Sequence, residues 1–325
     1  MKTIKVNFVD FPKKFDIYNN DFIEILREKY AIEISDDPDY LFYSCFGYKH
    51  AKYNCVRIFY TGECVTPDFN ICDYAIGFDF MSFSDRYLRV PLYCLFNYKS
   101  DYEMAKNKHL HADDITGQDR KFCSFVVSND AGQKARKEMF DLLSSYKQVD
   151  SGGRYLNNIG YCVPDKNVFQ SQYKFSFAFE NCVYPGYTTE KLPQAFAAGT
   201  IPIYYGNPEI AKEFNEDAFV NCHQYDTWET VLKRICEIDN NDELYAKMLG
   251  TSINVGYNNY YETLREFLFH IVEQGPSDAR RRPLNTRLKD LDAWQLYIYY
   301  SAKVFKPFKR LSNMLRRILN DSLKR

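Results

Sequence analysis

From Lys2 to Val9 polar and apolar residues alternate with the two-residue period of a half-buried strand. Over Asn20 to Tyr30 the period lengthens, and Phe22, Leu26 and Tyr30 recur at helical spacing. Short apolar runs at Tyr40 to Cys45, Cys55 to Tyr60 and Tyr74 to Phe78 predict three further strands, so the first third reads as a small α/β domain. The pattern then lapses into polar residues from about 94 to 119, including Asn97-Tyr98-Lys99-Ser100-Asp101 and Thr116-Gly117-Gln118-Asp119. Such a lapse predicts a surface loop or an interdomain connection, and the main boundary is placed at its end.

A second series begins with a strand at Phe122 to Ser128, a helix from about 131 to Tyr146 and a short strand to Asp150 that meets Gly152-Gly153-Arg154. Phe177-Ala178-Phe179-Glu180-Asn181 reads as the end of a strand, Tyr187-Thr188-Thr189-Glu190-Lys191-Leu192 as the start of a helix, and Gly199 as its stop. Strands at Ile201 to Tyr205 and Ala218 to Cys222 follow, with helices over Trp228 to Ile238 and Glu243 to Leu249. Strands alternating with helices imply parallel sheets with right-handed crossovers. Two Rossmann-like α/β domains facing a cleft, a GT-B-like architecture, are expected: residues 1–119, residues 120–276, and a basic, amphipathic helical tail over 277–325. The unit around Glu190 places Asn181, Tyr187, Glu190 and Lys191 at the carboxyl end of a parallel sheet, where open α/β folds bind ligands and a helix N-terminus favours phosphate.

Composition narrows this picture. At 325 residues the chain exceeds one ordinary core, and 46% hydrophobic with 26% charged content is that of a globular protein. No apolar run approaches the roughly 20 residues of a membrane span. The first strand-like segment lacks the apolar core of a cleaved signal, which favours a cytoplasmic location. Ten cysteines are scattered without CxxC spacing, so buried reduced thiols are expected. A net charge of −1 hides an asymmetry: residues 277–325 hold 13 Lys and Arg against 4 Asp and Glu, and the rest of the chain holds 29 against 39.

Several residues have chemistry to offer. Glu63 follows a strand that stops at Thr61-Gly62, a position from which a carboxylate can act as general base, although spacing alone favours a solvated glutamate. Arg136 lies on the helix after the strand ending near Asn129, a placement suited to phosphate, although a lone arginine there is more often a surface residue. Asp37-Pro38-Asp39 precedes its strand and reads as a turn, and His109-Leu110-His111 with Asp113 and Asp114 reads as a solvated loop, so no metal site is expected. Most of the 28 Tyr and 26 Phe belong to the core; Arg86, Tyr87 and Arg89 are weak acceptor-side candidates.

Val56 to Glu63, Asp73 to Phe78, Phe122 to Asn129, Asp150 to Arg154, Phe179-Glu180-Asn181, Tyr187 to Leu192, Ile201-Pro202-Ile203 and Gly206 together resemble the α1,3/α1,4-fucosyltransferases, the bacterial members most closely. The resemblance runs from about 38 to 222 in one order. It implies an inverting transferase that moves L-fucose from GDP-fucose to a hydroxyl of a lactose or N-acetyllactosamine-type glycan, in bacterial surface glycan synthesis such as that of lipopolysaccharide, with no further cofactor. It places Glu63 at the position of the catalytic base, and Arg136 and Lys191 at the donor diphosphate. Asn181, Tyr187 and Glu190 fall at nucleotide and fucose, and Asn129 and Arg154 on the donor side.

In the tail, Phe308, Leu311, Leu315, Ile318 and Leu319 recur at helical spacing among Lys309, Arg310, Arg316 and Arg317. Such a helix suits an anionic membrane surface, each basic residue contributing about 1 kcal/mol, or packing against protein. Arg280-Arg281-Arg282-Pro283 reads as the linker before it. The competing readings are a transferase using another nucleotide sugar and a non-enzymatic membrane-surface protein. The acidic body argues against a nucleic-acid partner.

Overall fold

The structure, a computed structural model, describes residues 1–107, 114, 116–128, 134–256, 259–283 and 291–301. The chain forms two compact units, one built from 1–77, 82–88 and 265–325 and the other from 78–81 and 89–264.

The first unit holds a six-stranded sheet of β1 (Lys2–Val9), β2 (Tyr30–Ile34), β3 (Tyr40–Tyr43), β4 (Val56–Tyr60), β5 (Tyr74–Gly77) and β6 (Tyr87–Arg89), in the order β2-β1-β3-β4-β5-β6. β1 pairs in parallel with β2 and β3, and β4 pairs in parallel with β3 and β5. The first helix is shorter than expected, Asp21–Arg27, capped by the Asn20 side chain accepting from the Ile23 N–H. Tyr30 fits the helical spacing, yet its backbone opens β2 and pairs with Lys2, because sheet pairing satisfies more backbone groups than another helical turn. Phe8, Phe22 and Phe42 stack at 5.0 and 5.1 Å in the core beneath β1 and β3.

The chain returns to this unit after residue 264. Helix Tyr260–Glu273 sets Phe269 on Tyr30 and Phe267 on Tyr74, and the Tyr40 hydroxyl donates to Val272 O. The basic run expected as a linker is anchored. Arg282 is only 7% exposed, the Arg281 and Arg282 N–H groups both donate to Asp73 Oδ1 at 2.8 Å, and the Arg282 guanidinium meets Asp73 Oδ2. A buried carboxylate with main-chain donors outweighs the preference of a basic run for water. Residues 291–301 are helical, with Asp292 paired to Arg57 and Gln295 to His50. The apolar and basic positions from 304 onward lie outside the described residues.

The second unit carries β7 (Lys121–Phe125), β8 (Val149–Ser151), β9 (Tyr173–Phe179), β10 (Ile201–Tyr205) and β11 (Val220–Asn221), all paired in parallel in the order β11-β10-β9-β7-β8. Both faces are covered, as parallel sheets require. Phe175, Phe177 and Phe179 face a core with Met139, Leu143, Val231 and Ile235. Ala178 faces Leu192, Phe196, Tyr204 and Phe214 on the other side. The polar stretch expected as a loop contains helix Tyr98–Lys106. It buries Ala105 and Asp101 and packs Tyr102 on the second core, so this unit resumes at Arg89, well before position 120. All ten cysteines are free thiols; Cys55, Cys72, Cys123 and Cys222 are buried, and Cys162 and Cys182 are exposed. Among the described residues no helix is long and apolar enough to cross a membrane.

Candidate active site

Every strand of the second sheet points its carboxyl end to one edge, and the segment from Glu180 to Lys191 leaves β9 there. Alternation along β9 turns Glu180 away from the Phe179 side, and its carboxylate is fully buried. Oε1 accepts the Thr189 N–H at 2.7 Å, and Oε2 accepts the Thr189 hydroxyl at 2.6 Å and Lys191 Nζ at 3.1 Å. Gly206 makes room for it, since a Cβ there would lie 2.4 Å from Glu180 Cγ. Lys191 opens the seven-residue helix Lys191–Ala197 with Glu190 as its N-cap. Its Nζ also donates to Thr189 Oγ1 at 2.8 Å and approaches Glu190 Oε1 at 3.4 Å, while its side chain stays 20% exposed.

Burial works against the Lys191 charge, but the Glu180 and Glu190 carboxylates outweigh it and hold the ammonium above its ordinary value. Burial alone would raise the Glu190 carboxyl; Lys191 and Lys166 together hold it below its ordinary value. Both groups are charged at neutral pH. Arg136 is buried and donates through Nη2 to Phe179 O at 2.8 Å and to Asn181 Oδ1 at 2.9 Å. Burial lowers its guanidinium, with Glu180 opposing. The structure thus gathers Arg136, Asn181, Glu190 and Lys191 around Glu180.

Tyr187 is 2% exposed and sets its ring 5.1 Å from Phe78, on a turn that needs Gly186 at φ 80°. A buried network holds that turn from beneath. Glu213 accepts from Thr188 Oγ1, Asn207 Nδ2 and the Tyr93 hydroxyl, each at 2.8 Å, and pairs with Arg89 at 2.8 Å. Arg89, an acceptor-side candidate in the sequence, is therefore engaged in supporting the loop. Arg86 likewise donates to the carbonyls of Phe69, Cys72 and Asp73, and Tyr87 is buried.

The remaining candidates make no hydrogen bond or ion pair to the cluster among the described residues. Arg154 is exposed on the turn after β8. Asn129, His109, His111 and Asp113 lie outside the described residues. Glu63 belongs to the first unit; it follows β4, its N–H donates to Thr61 Oγ1 at 3.0 Å, and its side chain is exposed. Asp37 and Asp39 form the turn into β3, with Lys5 N–H donating to Asp39 Oδ2. Among the described residues no group of three or more His, Cys, Asp and Glu is placed to hold a metal ion. A cavity of about 450 Å³ opens beside Tyr205, His223, Asp226 and Trp228, and none of the candidate residues lines it.

The family model for the α-(1,3)-fucosyltransferase FucT N-terminal domain matches residues 6–96, and that for the glycosyltransferase family 10 (fucosyltransferase) C-terminal region matches 116–251. The α-(1,3)-fucosyltransferase FucT of Helicobacter pylori is 36% identical over 264 residues, covering 69% of this chain and 54% of that protein. A crystal structure of an α1,3-fucosyltransferase with GDP-fucose is 30% identical, with TM-score 0.72 over 84% of this chain and 91% of that one. The chain belongs to the family 10 fucosyltransferases. Human 4-galactosyl-N-acetylglucosaminide 3-α-L-fucosyltransferase 9 is also similar, 33% identical over 129 residues, covering 38% of this chain and 35% of that protein. The chain spans about half the length of the Helicobacter protein and about a third of the human one. Within this chain, Glu63 falls in the N-terminal match and Arg136, Arg154, Asn181, Tyr187, Glu190 and Lys191 in the C-terminal one.

Sequence reasoning quoted Glu180 in a motif without giving it a part, and it missed Glu213 and Lys166. The signal for Glu180 was available: a carboxylate at the end of an apolar strand requires partners, and the Thr188-Thr189-Glu190-Lys191 turn follows within about a dozen residues. Glu213 and Lys166 carry no such signal, because their partners lie in other elements.

Proposed function

We propose that this chain is an inverting fucosyltransferase that moves L-fucose from GDP-fucose to a hydroxyl of a lactose or N-acetyllactosamine-type acceptor, in α1,3 linkage, for a bacterial surface glycan. The observation that carries the reading is the Glu180-Lys191-Glu190 cluster at the carboxyl edge of the second sheet, in the stretch matched to family 10. The solved relative with GDP-fucose supports the donor. In a single displacement the acceptor oxygen forms a bond to the anomeric carbon of fucose while the bond to the β-phosphate oxygen breaks and its electron pair leaves with GDP. The acceptor proton passes to Glu63. Charge accumulating on the diphosphate is met by Lys191, with Arg136 adding a second positive charge and orienting Asn181. Glu190 and Tyr187 are assigned to fucose and nucleotide, and Asn129 and Arg154 to the donor side.

This reading gives the first unit to the acceptor and the second to the donor, and leaves the basic and apolar positions from 304 onward for peripheral contact with an anionic membrane on its cytoplasmic face. Replacement Glu63→Ala tests it. Turnover on a lactose-type acceptor should fall by about 10²–10⁴ or more, while GDP affinity by titration calorimetry persists. Turnover at the wild-type rate overturns the base assignment, and NMR of the product reads the linkage.

A further inference from the structure

One cation beside the cluster has no part in the reaction as written. Lys166, half-buried at the start of the short helix Lys166–Gln170, donates to Gln194 Oε1 at 2.8 Å. Gln194 Nε2 donates to Asp101 Oδ2 at 2.9 Å, and Asn167 Nδ2 donates to Asp101 Oδ1 at 2.7 Å. The relay has one direction: a flipped Gln194 amide would set its NH₂ against the ammonium and its oxygen against the carboxylate. Gln194 lies one helical turn beyond Lys191, so the relay ends on the face that carries the candidate donor residues. Asp101, on helix Tyr98–Lys106, is 9% exposed and bonded through both oxygens, so the far end is fixed as well.

We propose that Lys166 is a positioning residue of the donor site, held by the Asp101-Gln194 relay against the helix that Lys191 opens, so that its ammonium supplies Glu190 with a second cation. The inference rests on the reading of this site as the GDP-fucose site. Glu190 needs a second cation because Lys191 is shared: its contacts to Thr189 at 2.8 Å and Glu180 at 3.1 Å are both shorter than the 3.4 Å to Glu190. Lys166 acts on Glu190 from a different element, and Glu190 is held below its ordinary value by both lysines.

The arrangement predicts a pH dependence. Burial lowers the Lys166 ammonium to about 8, with Glu190, Glu180 and Asp101 opposing and Lys191 adding to the effect. Above that pH the amine is neutral, Glu190 loses its second cation, and the site loses one positive charge. Donor kcat/KM, which reports the free enzyme, falls as pH rises through about 8.

The test is steady-state kinetics of the full chain with GDP-fucose and a lactose-type acceptor, from about pH 6.5 to about pH 9.5, a range chosen to bracket this titration. Wild type should show the alkaline fall. Lys166→Met should raise the donor KM about tenfold at neutral pH, the order expected for a charged contact, and should flatten the profile. Lys166→Arg keeps the charge, so it should retain a donor KM near wild type and move the fall beyond the range. Thermal unfolding of each variant separates loss of fold from loss of charge. A Lys166→Met enzyme that keeps both the wild-type donor KM and the alkaline fall overturns the inference, as does one that is less stable yet still shows that fall. Absence of transfer by the wild type overturns the reading of the site and this inference with it, so the two failures are distinguishable.

Discussion

In the first unit Asp73 is fully buried and accepts the N–H groups of Arg57 at 2.7 Å and of Arg281 and Arg282 at 2.8 Å, together with the Arg282 guanidinium. In the second unit Glu180 is as deeply buried, but only one of its three donors, the Thr189 N–H, is main chain. Both carboxylates meet the rule that a buried charge must be paired and hydrogen-bonded. They differ in what they immobilise. Main-chain donors fix the path of the backbone, so Asp73 ties three stretches of chain together. Side-chain donors fix a functional group, so Glu180 holds an ammonium that remains partly open to solvent and is shared with Glu190.

The comparison can be broken in graded steps. Asp73→Ala should have the largest effect on the fold, about 3–5 kcal/mol, because it leaves the buried Arg282 charge uncompensated. It should appear as a lower thermal midpoint, while molecules that remain folded bind GDP as before. Lys191→Ala should cost less stability, since Glu180 keeps both bonds from Thr189, and should raise the donor KM by about 10- to 100-fold if a charge-assisted contact worth roughly 1.5–3 kcal/mol is lost. If Lys191→Ala destabilised the protein as much as Asp73→Ala and left donor affinity unchanged, both clusters would be purely architectural. Asp292→Ala should have the smallest effect, under about 1 kcal/mol by denaturant titration, because its carboxylate is 44% exposed and Tyr53 O still accepts from Arg57 Nε and Nη2. A larger loss would make Arg57 as dependent on its ion pair as Arg282 is.

The same contrast explains what could be read from the chain. β1 and the β9-to-β10 unit were legible because their patterns are local: alternation for one, strand, polar turn, helix and glycine for the other. Helix Tyr98–Lys106 was not, since its inward residues Tyr102 and Ala105 are diluted by Lys99, Ser100 and Glu103, and its buried Asp101 resembles a loop residue until Asn167 and Gln194 are seen to bind it. Tyr30 fitted a helix by spacing and was claimed by strand pairing with Lys2. Arg281 and Arg282 looked like linker because their acceptor lies about 208 residues earlier in the chain. At the site, Glu190 and Lys191 were evident from their place at a helix start, whereas the supports from Glu213 and Lys166 exist only after elements distant in sequence have packed.

Asp73 also sets an order of events during synthesis. The second unit occupies nearly all of the chain between Asp73 and Arg281, as an insertion in the first. At roughly 5–20 residues per second, ribosomal synthesis separates these partners by on the order of ten to forty seconds. Made first, the amino-terminal sheet closes last: the inserted unit has its whole sequence in hand while Asp73 still waits for the arginines that will cover it.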